Sequence, residues 1–289
     1  MNAHPPIKPR EKLSFGLDGD IPRFWFGNNP FKTRFADAMS TSFPEGERYF
    51  ISCVRDYRDQ ISDPQLQREV KDFIRQEGQH GIIHDQFNLL LGKQGIDVKA
   101  LENITSSFLF GFKRKYLPQK YNLACVAAAE HLTAIMATVF FERKNMMGSA
   151  DPRVYAMYAW HAMEEMEHKA VAFDVMQKVA KVGYFTRVLA LMELTFTFVL
   201  SILYITNKLL KADGFSLFKR IGLFTKGMWW LYGPGGLFSS SVRVYASYYK
   251  PGFHPWQEDV TRSYRVWLDT FNRTGDVLEA GRMVLDAAA

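Results

Sequence analysis

The sequence predicts an all-α fold, a four-helix bundle followed by further apolar helices. The strongest observation is a tetrad, Glu-x-x-His, that occurs twice, at residues 77–80 and 165–168, and each copy is preceded by one more glutamate, Glu47 and Glu130. In four-helix bundles that bind two metal ions, each helix contributes ligands to one shared core. The ligands occur in this order along the chain. The period-two alternation of polar and apolar residues that indicates strands is absent. The sequence therefore predicts a bundle with two metal ions at its centre.

Two helical hairpins account for the bundle. Pro44 suits a first helical position, and Glu45 and Glu47 favour the positive end of the helix dipole. Ser62-Asp63-Pro64 ends the first helix and can cap the second, and Asp151-Pro152 opens the fourth. The four predicted helices span residues 44–61, 64–91, 121–144 and 151–181.

The turns provide a geometric check, because two residues at the same height in an antiparallel hairpin are equidistant from the turn. The midpoint of Glu47 and Glu77 is residue 62, which lies in the first turn. The midpoint of Glu130 and Glu165 falls between Met147 and Gly148, in the second turn. Since a helix rises about 1.5 Å per residue, a turn misplaced by several residues would separate the carboxylates too far to share a metal.

Helical spacing selects the ligands of the fourth helix. Residues three and four apart share a face, so His161, Glu165 and His168 fall within a narrow arc. Glu167 points well away from this arc, and Glu164 lies at its edge. The metal ligands predicted from the sequence are Glu47, Glu77, His80, Glu130, His161, Glu165 and His168.

Charge balance indicates what the site binds. Four glutamates buried together repel one another, whereas two divalent cations balance them when the histidines are neutral. Carboxylate and imidazole ligands without a thiolate suit iron or manganese. We therefore expect two iron ions, with manganese or a mixed iron and manganese pair as the alternative.

Four neighbouring residues are candidates for hydrogen-bond partners of the ligands. His84 lies one turn beyond His80, and His131 follows Glu130, but each can equally be a satisfied histidine between helices. Thr133 can bond a species at the metals or, as is usual on a helix, its own backbone. The alternative for Glu164 is a position at the surface, where its carboxylate is solvated or forms a salt bridge.

Composition limits the partners and the compartment. The 289 residues are 47% hydrophobic and carry a net charge of +6, but the basic residues are scattered and no stacking motif accompanies them, which argues against nucleic acid. Cys53 and Cys125 are too few for a disulfide framework, so a reducing cytoplasm is expected. The polar, proline-rich N-terminus lacks the apolar core of a signal peptide and reads as a flexible arm.

Three regions follow from these patterns: an N-terminal arm (1–40), the metal-binding bundle (41–183) and an apolar helical region packed on it (184–289). Within the last, residues 188–206 carry one charge, Glu193. This segment is long enough to cross a membrane, but a buried or membrane-contacting helix is favoured over a true span. Trp229-Trp230, near Lys219, Arg220 and Lys226, resembles an interfacial anchor, with packing under a loop as the alternative.

Several motifs resemble one bacterial family. They are Phe-Pro-Glu-Gly-Glu at 43–47, Ala-Ala-Glu-His at 128–131, Trp-His-Ala-Met-Glu-Glu-Met-Glu-His at 160–168 and Pro-Gly-Phe-His-Pro-Trp at 251–256. Together they are similar to the predicted metal-dependent hydrolases, and the resemblance implies a ferritin-like helical fold. More remotely, His161-x-x-x-Glu165-x-x-His168 resembles a ligand run of the di-iron arylamine N-oxygenases, which have a third histidine. These resemblances imply the same seven ligands.

The leading functional hypothesis is a non-haem di-iron oxidase or oxygenase that uses O2 and an electron donor on a hydrophobic small-molecule or lipid-like substrate. The alternative is a metal-dependent hydrolase in which a bridging water is activated by the metals. Metal storage is disfavoured, because the basic chain offers no acidic cage. Contact with the inner membrane surface and a homodimer are left open.

Overall fold

The computed structural model describes residues 4–288, and within them the chain is helical with no strand, which confirms the all-α prediction. The helices are α1 (Pro30–Arg55), α2 (Pro64–Lys93), α3 (Val98–Ser106), α4 (Arg114–Tyr116), α5 (Gln119–Phe141), α6 (Lys144–Met147), α7 (Pro152–His168), α8 (Val171–Asp174), α9 (Tyr184–Ala212), α10 (Leu217–Tyr232), α11 (Val242–Ser247), α12 (Arg262–Thr274) and α13 (Val277–Ala287). Ser107–Lys113 and Val175–Val179 are π-helical. Short 3₁₀ turns lie at Arg58–Gln60, Ser239–Ser241 and Pro255–Gln257.

Two hairpins, α1 with α2 and α5 with α7, pack together as the four-helix bundle. Asp63 caps α2 by accepting a hydrogen bond from the backbone N–H of Gln65, and Asp151 caps α7 in the same way through Arg153. Proline occupies the first turn of both helices, where its missing N–H costs nothing. These caps place the two turns where the sequence predicts them.

The first helix is longer than predicted. It begins at Pro30, where Asn29 accepts from the backbone N–H of Lys32, and not at Pro44. Pro44 lies inside α1, where it cannot donate to the carbonyl of Ser40 four residues earlier. Asn88 Nδ2 donates to that carbonyl instead, at 3.1 Å. A side chain from α2 thus compensates for the proline.

The prediction of a flexible N-terminal arm is wrong for much of residues 4–40. Phe15, Trp25 and Phe26 are buried in the core, and Trp25 Nε1 donates to Asp37 at 2.9 Å. Residues 30–40 belong to α1. The arm is ordered because its aromatic side chains bury apolar surface against the bundle.

The fourth predicted helix, to residue 181, is interrupted. α7 ends at His168, the chain turns at Lys169 and Ala170, and α8 with the π-helical segment Val175–Val179 continues it. The last predicted ligand is therefore the last residue of α7. The described side chains of α8 all belong to the buried core.

The helices after the bundle complete its packing. α9 lies against α1 and α5, and α12 and α13 lie against α7. Gly281 of α13 allows this approach, because a Cβ there would lie 2.8 Å from the Cα of Ala156. Among described residues, α5 and α9 are long and apolar enough to cross a membrane, but the apolar segment of α5 is 72% buried and that of α9 only 22%. α5 is thus a core helix, and the division into three regions stays a prediction.

Candidate metal centre

Seven buried side chains converge in the middle of the bundle, and they are the seven predicted ligands. Each has at most 5% of its surface exposed. α1 contributes one of them, α2 two, α5 one and α7 three. They are Glu47, Glu77, His80, Glu130, His161, Glu165 and His168. In three overlapping groups, one ligand atom per residue lies within 4.8 Å of the others: Glu47 with His80 and His161, Glu77 with Glu130 and His168, and Glu77 with His80 and Glu165.

Glu165 occupies the middle of the cluster. Its Oε1 lies 3.1 Å from His161 Nε2 and 3.5 Å from His80 Nδ1, and its Oε2 lies 3.4 Å from His168 Nε2. The two oxygens of one carboxylate therefore face different histidines. A carboxylate in this position could serve as a ligand on both sides of the cluster.

Further carboxylates lie on both sides of Glu165. On one side, His168 Nε2 lies 3.2 Å from Glu77 Oε1 and 3.5 Å from Glu130 Oε2. On the other, His161 Nε2 lies 3.8 Å from Glu47 Oε1. The cluster thus divides into two adjoining ligand sets, as a dinuclear site requires.

The polar atoms at the centre fit bound cations, because many have no hydrogen-bond partner. A buried polar atom without a partner is costly and needs an explanation. Among the described residues, the ligand atoms in this state are Glu47 Oε2, both carboxylate oxygens of Glu77 and of Glu130, Glu165 Oε2, His80 Nδ1 and His168 Nε2. All point into one cluster, and two divalent cations would coordinate them and balance the four carboxylates.

The pKa values of the buried glutamates, taken without metal ions, also indicate a site suited to cations. Burial, together with the nearby Glu47, raises the pKa of Glu77 well above its usual value, and burial with Glu165 does the same for Glu130. Burial also opposes ionisation of Glu165, but His168 and His161 outweigh it and leave its pKa well below the usual value. Without cations, burial therefore favours the protonated form of Glu77 and of Glu130.

A hydrogen-bond chain holds His161 in the tautomer that can ligate. Asn88 Nδ2 donates to the Ser40 carbonyl, so its Oδ1 accepts from Ser40 Oγ at 2.8 Å. Ser40 Oγ must then accept from His84 Nδ1, at 2.8 Å. His84 Nε2 is left to accept from His161 Nδ1, also at 2.8 Å. The lone pair of His161 Nε2 is therefore free for a metal, and His84 is a hydrogen-bond partner of a ligand.

We expect Ser40→Ala to weaken metal binding about 10- to 100-fold, the usual effect of losing an outer partner of a ligand. Without the hydroxyl, His84 no longer has an acceptor for its Nδ1 proton and can donate to His161 from Nε2 instead. Titration of the metal-free protein with Fe²⁺ or Mn²⁺ measures the affinity. Ser42→Ala is the matched control, since this buried hydroxyl on α1 donates to the Ala38 carbonyl and does not contact His84. Equal metal affinities in the two variants would contradict the role of this hydrogen-bond chain in holding His161.

His168 is oriented by Gln76, which sequence reasoning missed. Gln76 Nε2 donates to Glu167 Oε2 at 2.9 Å and to the Lys8 carbonyl at 3.3 Å. Its Oε1 therefore accepts from His168 Nδ1, at 3.0 Å. The Nε2 atom of His168 is thereby directed at the carboxylates of Glu77, Glu130 and Glu165.

His80 is held by a buried ion pair that includes the N-terminal segment. His80 Nε2 lies 3.2 Å from Glu164 Oε2, and Arg10 Nη1 donates to Glu164 Oε1 at 2.8 Å. Arg10 also donates to Glu167, at 2.7 Å, and Tyr264 donates to the same oxygen. Burial raises the pKa of Glu164 to about 7, although Arg10 opposes this. Glu164 is thus a hydrogen-bond partner of a ligand.

Two of the predicted hydrogen-bond partners lie elsewhere. The His131 ring packs against Tyr248 and Phe253, with ring centroids 4.9 and 5.1 Å away. Thr133 Oγ1 donates to the backbone carbonyl of Glu130, the alternative that helical threonines usually adopt. For His131 the alternative of a histidine packed between helices is the one found, and for Thr133 the alternative of a bond to its own backbone.

Comparison with known families supports metal dependence. One family profile, described as predicted metal-dependent hydrolase, matches residues 8–259. Curated proteins and solved structures yielded no match. The matched segment begins before Arg10 and contains all seven candidate ligands. Because the match covers most of its length, the chain belongs to the family of predicted metal-dependent hydrolases.

Proposed function

We propose that the chain is a metal-dependent hydrolase that activates water at a dinuclear centre in the bundle core. The convergence of seven buried ligands, with partnerless oxygens and nitrogens facing one another, supports the dinuclear centre. The family description supports hydrolysis, which the sequence alone ranks second to oxidation. Metal identity is part of the proposal, with iron or manganese suited to the ligands.

The metal ions supply the chemistry of lowering the pKa of a bound water to near neutrality. The chain positions that water through the carboxylates and holds the neutral histidines in place through Gln76, Glu164 and His84. Glu47 is the carboxylate that we assign to take the proton, through the oxygen that does not ligate. Its Oε2 has no hydrogen-bond partner in the protein, and burial raises its pKa above the usual value.

Oxidation with O2 is the second candidate, and the set of ligands favours it. Four carboxylates leave the metals less Lewis acidic than a histidine-rich site would, which weakens the activation of water. Oxygen and nitrogen ligands suit iron, which can react with O2 when reduced. Each residue of the centre also has at most 5% of its surface exposed, which limits the access of water. This candidate requires an electron donor and an apolar substrate.

Metal exchange separates the two reactions. We expect the protein reconstituted with Zn²⁺ or Mn²⁺ to cleave a model ester of a medium-length acyl chain without oxygen, because hydrolysis needs no change in metal charge. Product release under argon measures this activity. The same preparation with Fe²⁺ should not consume O2 faster than free Fe²⁺ does.

The opposite pattern would overturn hydrolysis in favour of oxidation: an inactive zinc form, together with O2 uptake that requires Fe²⁺ and increases with an apolar substrate. Glu130→Gln serves as the control in both assays, since it alters a ligand and should abolish whichever activity is found. Activity that persists in this variant comes from a contaminant or from adventitious metal.

A further inference from the structure

One side of α9 is an exposed apolar stripe. Its residues recur every three or four positions, and between 51% and 85% of the surface of each is exposed. They are Phe185, Leu189, Met192, Phe196, Leu200 and Tyr204. The opposite side of the helix is buried against α1 and α5. A contiguous exposed apolar surface of this kind marks an interaction site.

The stripe has basic residues at both ends. Lys181 precedes α9 and is exposed, and Lys208 and Lys211 are exposed in its last turns. Asp213, which follows them, is buried and paired with Arg34 and Arg23, so it does not neutralise these lysines. Helices that lie in the headgroup region of a membrane combine an apolar face with such flanking lysines.

The one carboxylate within the apolar segment is already neutralised. Glu193 Oε2 lies 2.6 Å from the Nζ of Lys113, a lysine that is almost completely buried. Lys113 also contacts Cys125 Sγ at 3.1 Å. A buried cation under the stripe therefore pairs with the charge that would otherwise oppose contact with an apolar phase.

The packing of α9 excludes a transmembrane span in this fold. Its inner side, with Leu191, Ile202 and Ile205, belongs to the buried core and cannot leave without disrupting the bundle. Only one side of the helix can then meet lipid. That geometry is the one expected of a helix lying parallel to a membrane surface.

A second copy of the chain fits the stripe less well than an anionic membrane does. In a parallel pairing of two α9 stripes, Lys208 and Lys211 would face their own copies. In an antiparallel pairing they would face Lys181. Both arrangements bring like charges together, whereas anionic lipid headgroups pair with lysines at both ends.

An apolar cavity of about 380 Å³ borders the stripe. Val199 and Leu203 line it from α9, one residue before the exposed Leu200 and Tyr204, and Leu132 and Met136 line it from α5. Its volume is within the range of ligand sites, and its wall is almost wholly apolar. A cavity of this character beside the stripe can accept an acyl chain from a lipid surface.

We propose that the exposed side of α9 docks the protein on an anionic lipid bilayer, with the apolar stripe in the headgroup boundary and the lysines on the headgroups. The docking does not depend on the reaction at the metal centre.

Co-sedimentation with vesicles tests the proposal. We expect the full-length protein to bind vesicles of phosphatidylcholine with 30% phosphatidylglycerol and to bind pure phosphatidylcholine about tenfold more weakly. Raising the salt concentration should weaken the first interaction, because exposed charges are screened. The double variant F196S/L200S should lose at least tenfold in vesicle affinity. These residues are exposed, so its thermal unfolding should match that of the parent protein.

The control is I82S/L89S, which removes two exposed apolar side chains from α2 and should leave vesicle binding unchanged. No vesicle binding at low salt would overturn the proposal, as would equal losses in the two double variants. A dimer in analytical ultracentrifugation that F196S/L200S dissociates, without vesicle binding by the parent, would instead assign the stripe to a second copy.

Discussion

Glu165→Gln will abolish stoichiometric metal binding. The two oxygens of Glu165 face three histidines, one on one side and two on the other, and glutamine replaces one oxygen with an amide that cannot ligate. The loss should exceed the 10- to 100-fold typical of an outer hydrogen-bond partner, because a ligand shared by both metals is removed. Metal analysis of the purified variant and titration of its metal-free form measure this, and activity should fall with occupancy.

The matched control is Glu69→Gln on α2, whose carboxylate accepts from Gln65 at the surface and lies away from the centre. Glu69→Gln should keep the metal content of the parent protein. Helical content by circular dichroism should be unchanged in both variants, since glutamine preserves the size of the side chain. Two tightly bound metals in Glu165→Gln would show that the cluster is not the binding site.

The convergence of the seven side chains could be predicted because the information is local. Glu77 with His80, and Glu165 with His168, are three residues apart on helices, and that spacing fixes their common face. The two hairpin turns carry proline and a capping aspartate, which place them within a residue or two. Helix rise then determines which glutamates lie at the same height.

The start of α1 could not be predicted in the same way, because Pro44 can lie either at the start of a helix or inside it. Proline is favoured at a first helical position, and the polar residues before it look like a loop. In the fold it lies inside the helix, and the Ser40 carbonyl that it leaves free is taken by Asn88. The same contact orients Asn88 for the hydrogen-bond chain that ends at His161. A local helix rule is thus overridden by a partner from another helix.

His84 and Glu164 were predicted from their positions beside the ligands, but the outer supports Gln76 and Arg10 were missed because their partners are distant in sequence. Arg10 and Glu167 form a buried pair across 157 positions, and no spacing rule connects them. Glu167 does point away from the ligand face, as predicted, but it is buried and holds Gln76. One sequence signal does indicate such a support. Asn88 follows His80 and His84 at steps of four, so these polar side chains share one face of the helix. A solvent-exposed face would not require that regular spacing.

Removing the metals will make the stability of the protein fall as pH rises above neutral, towards the raised pKa values of two buried glutamates. Burial raises the folded-state pKa of Glu77 and of Glu130 well above the unfolded value, so the metal-free folded protein holds protons that the unfolded chain has already lost. Their contribution is complete below the unfolded pKa and is lost as pH rises through the folded one. Each unit of pKa difference corresponds to about 1.4 kcal/mol.

At acid pH two histidines have the opposite effect. Burial lowers the pKa of His80 and of His84 well below the usual value, so at lower pH the unfolded chain binds more protons at these histidines and stability falls with acid. Above about 7.5, one unit over the unfolded pKa of histidine, both histidines are neutral in either state, and the glutamates determine the slope. Chemical unfolding of the chelator-treated protein at several pH values measures it.

The metal-loaded protein should behave in the opposite way, because cations replace the protons on Glu77 and Glu130 and bind best when these carboxylates are ionised. The difference in unfolding free energy between the loaded and metal-free forms should therefore grow as pH rises above neutral. Groups outside the centre, such as Lys169 with its pKa lowered by burial to about 8, affect both forms and cancel in this difference. A difference that is independent of pH would mean that Glu77 and Glu130 do not exchange protons for metal, and the dinuclear assignment would fail.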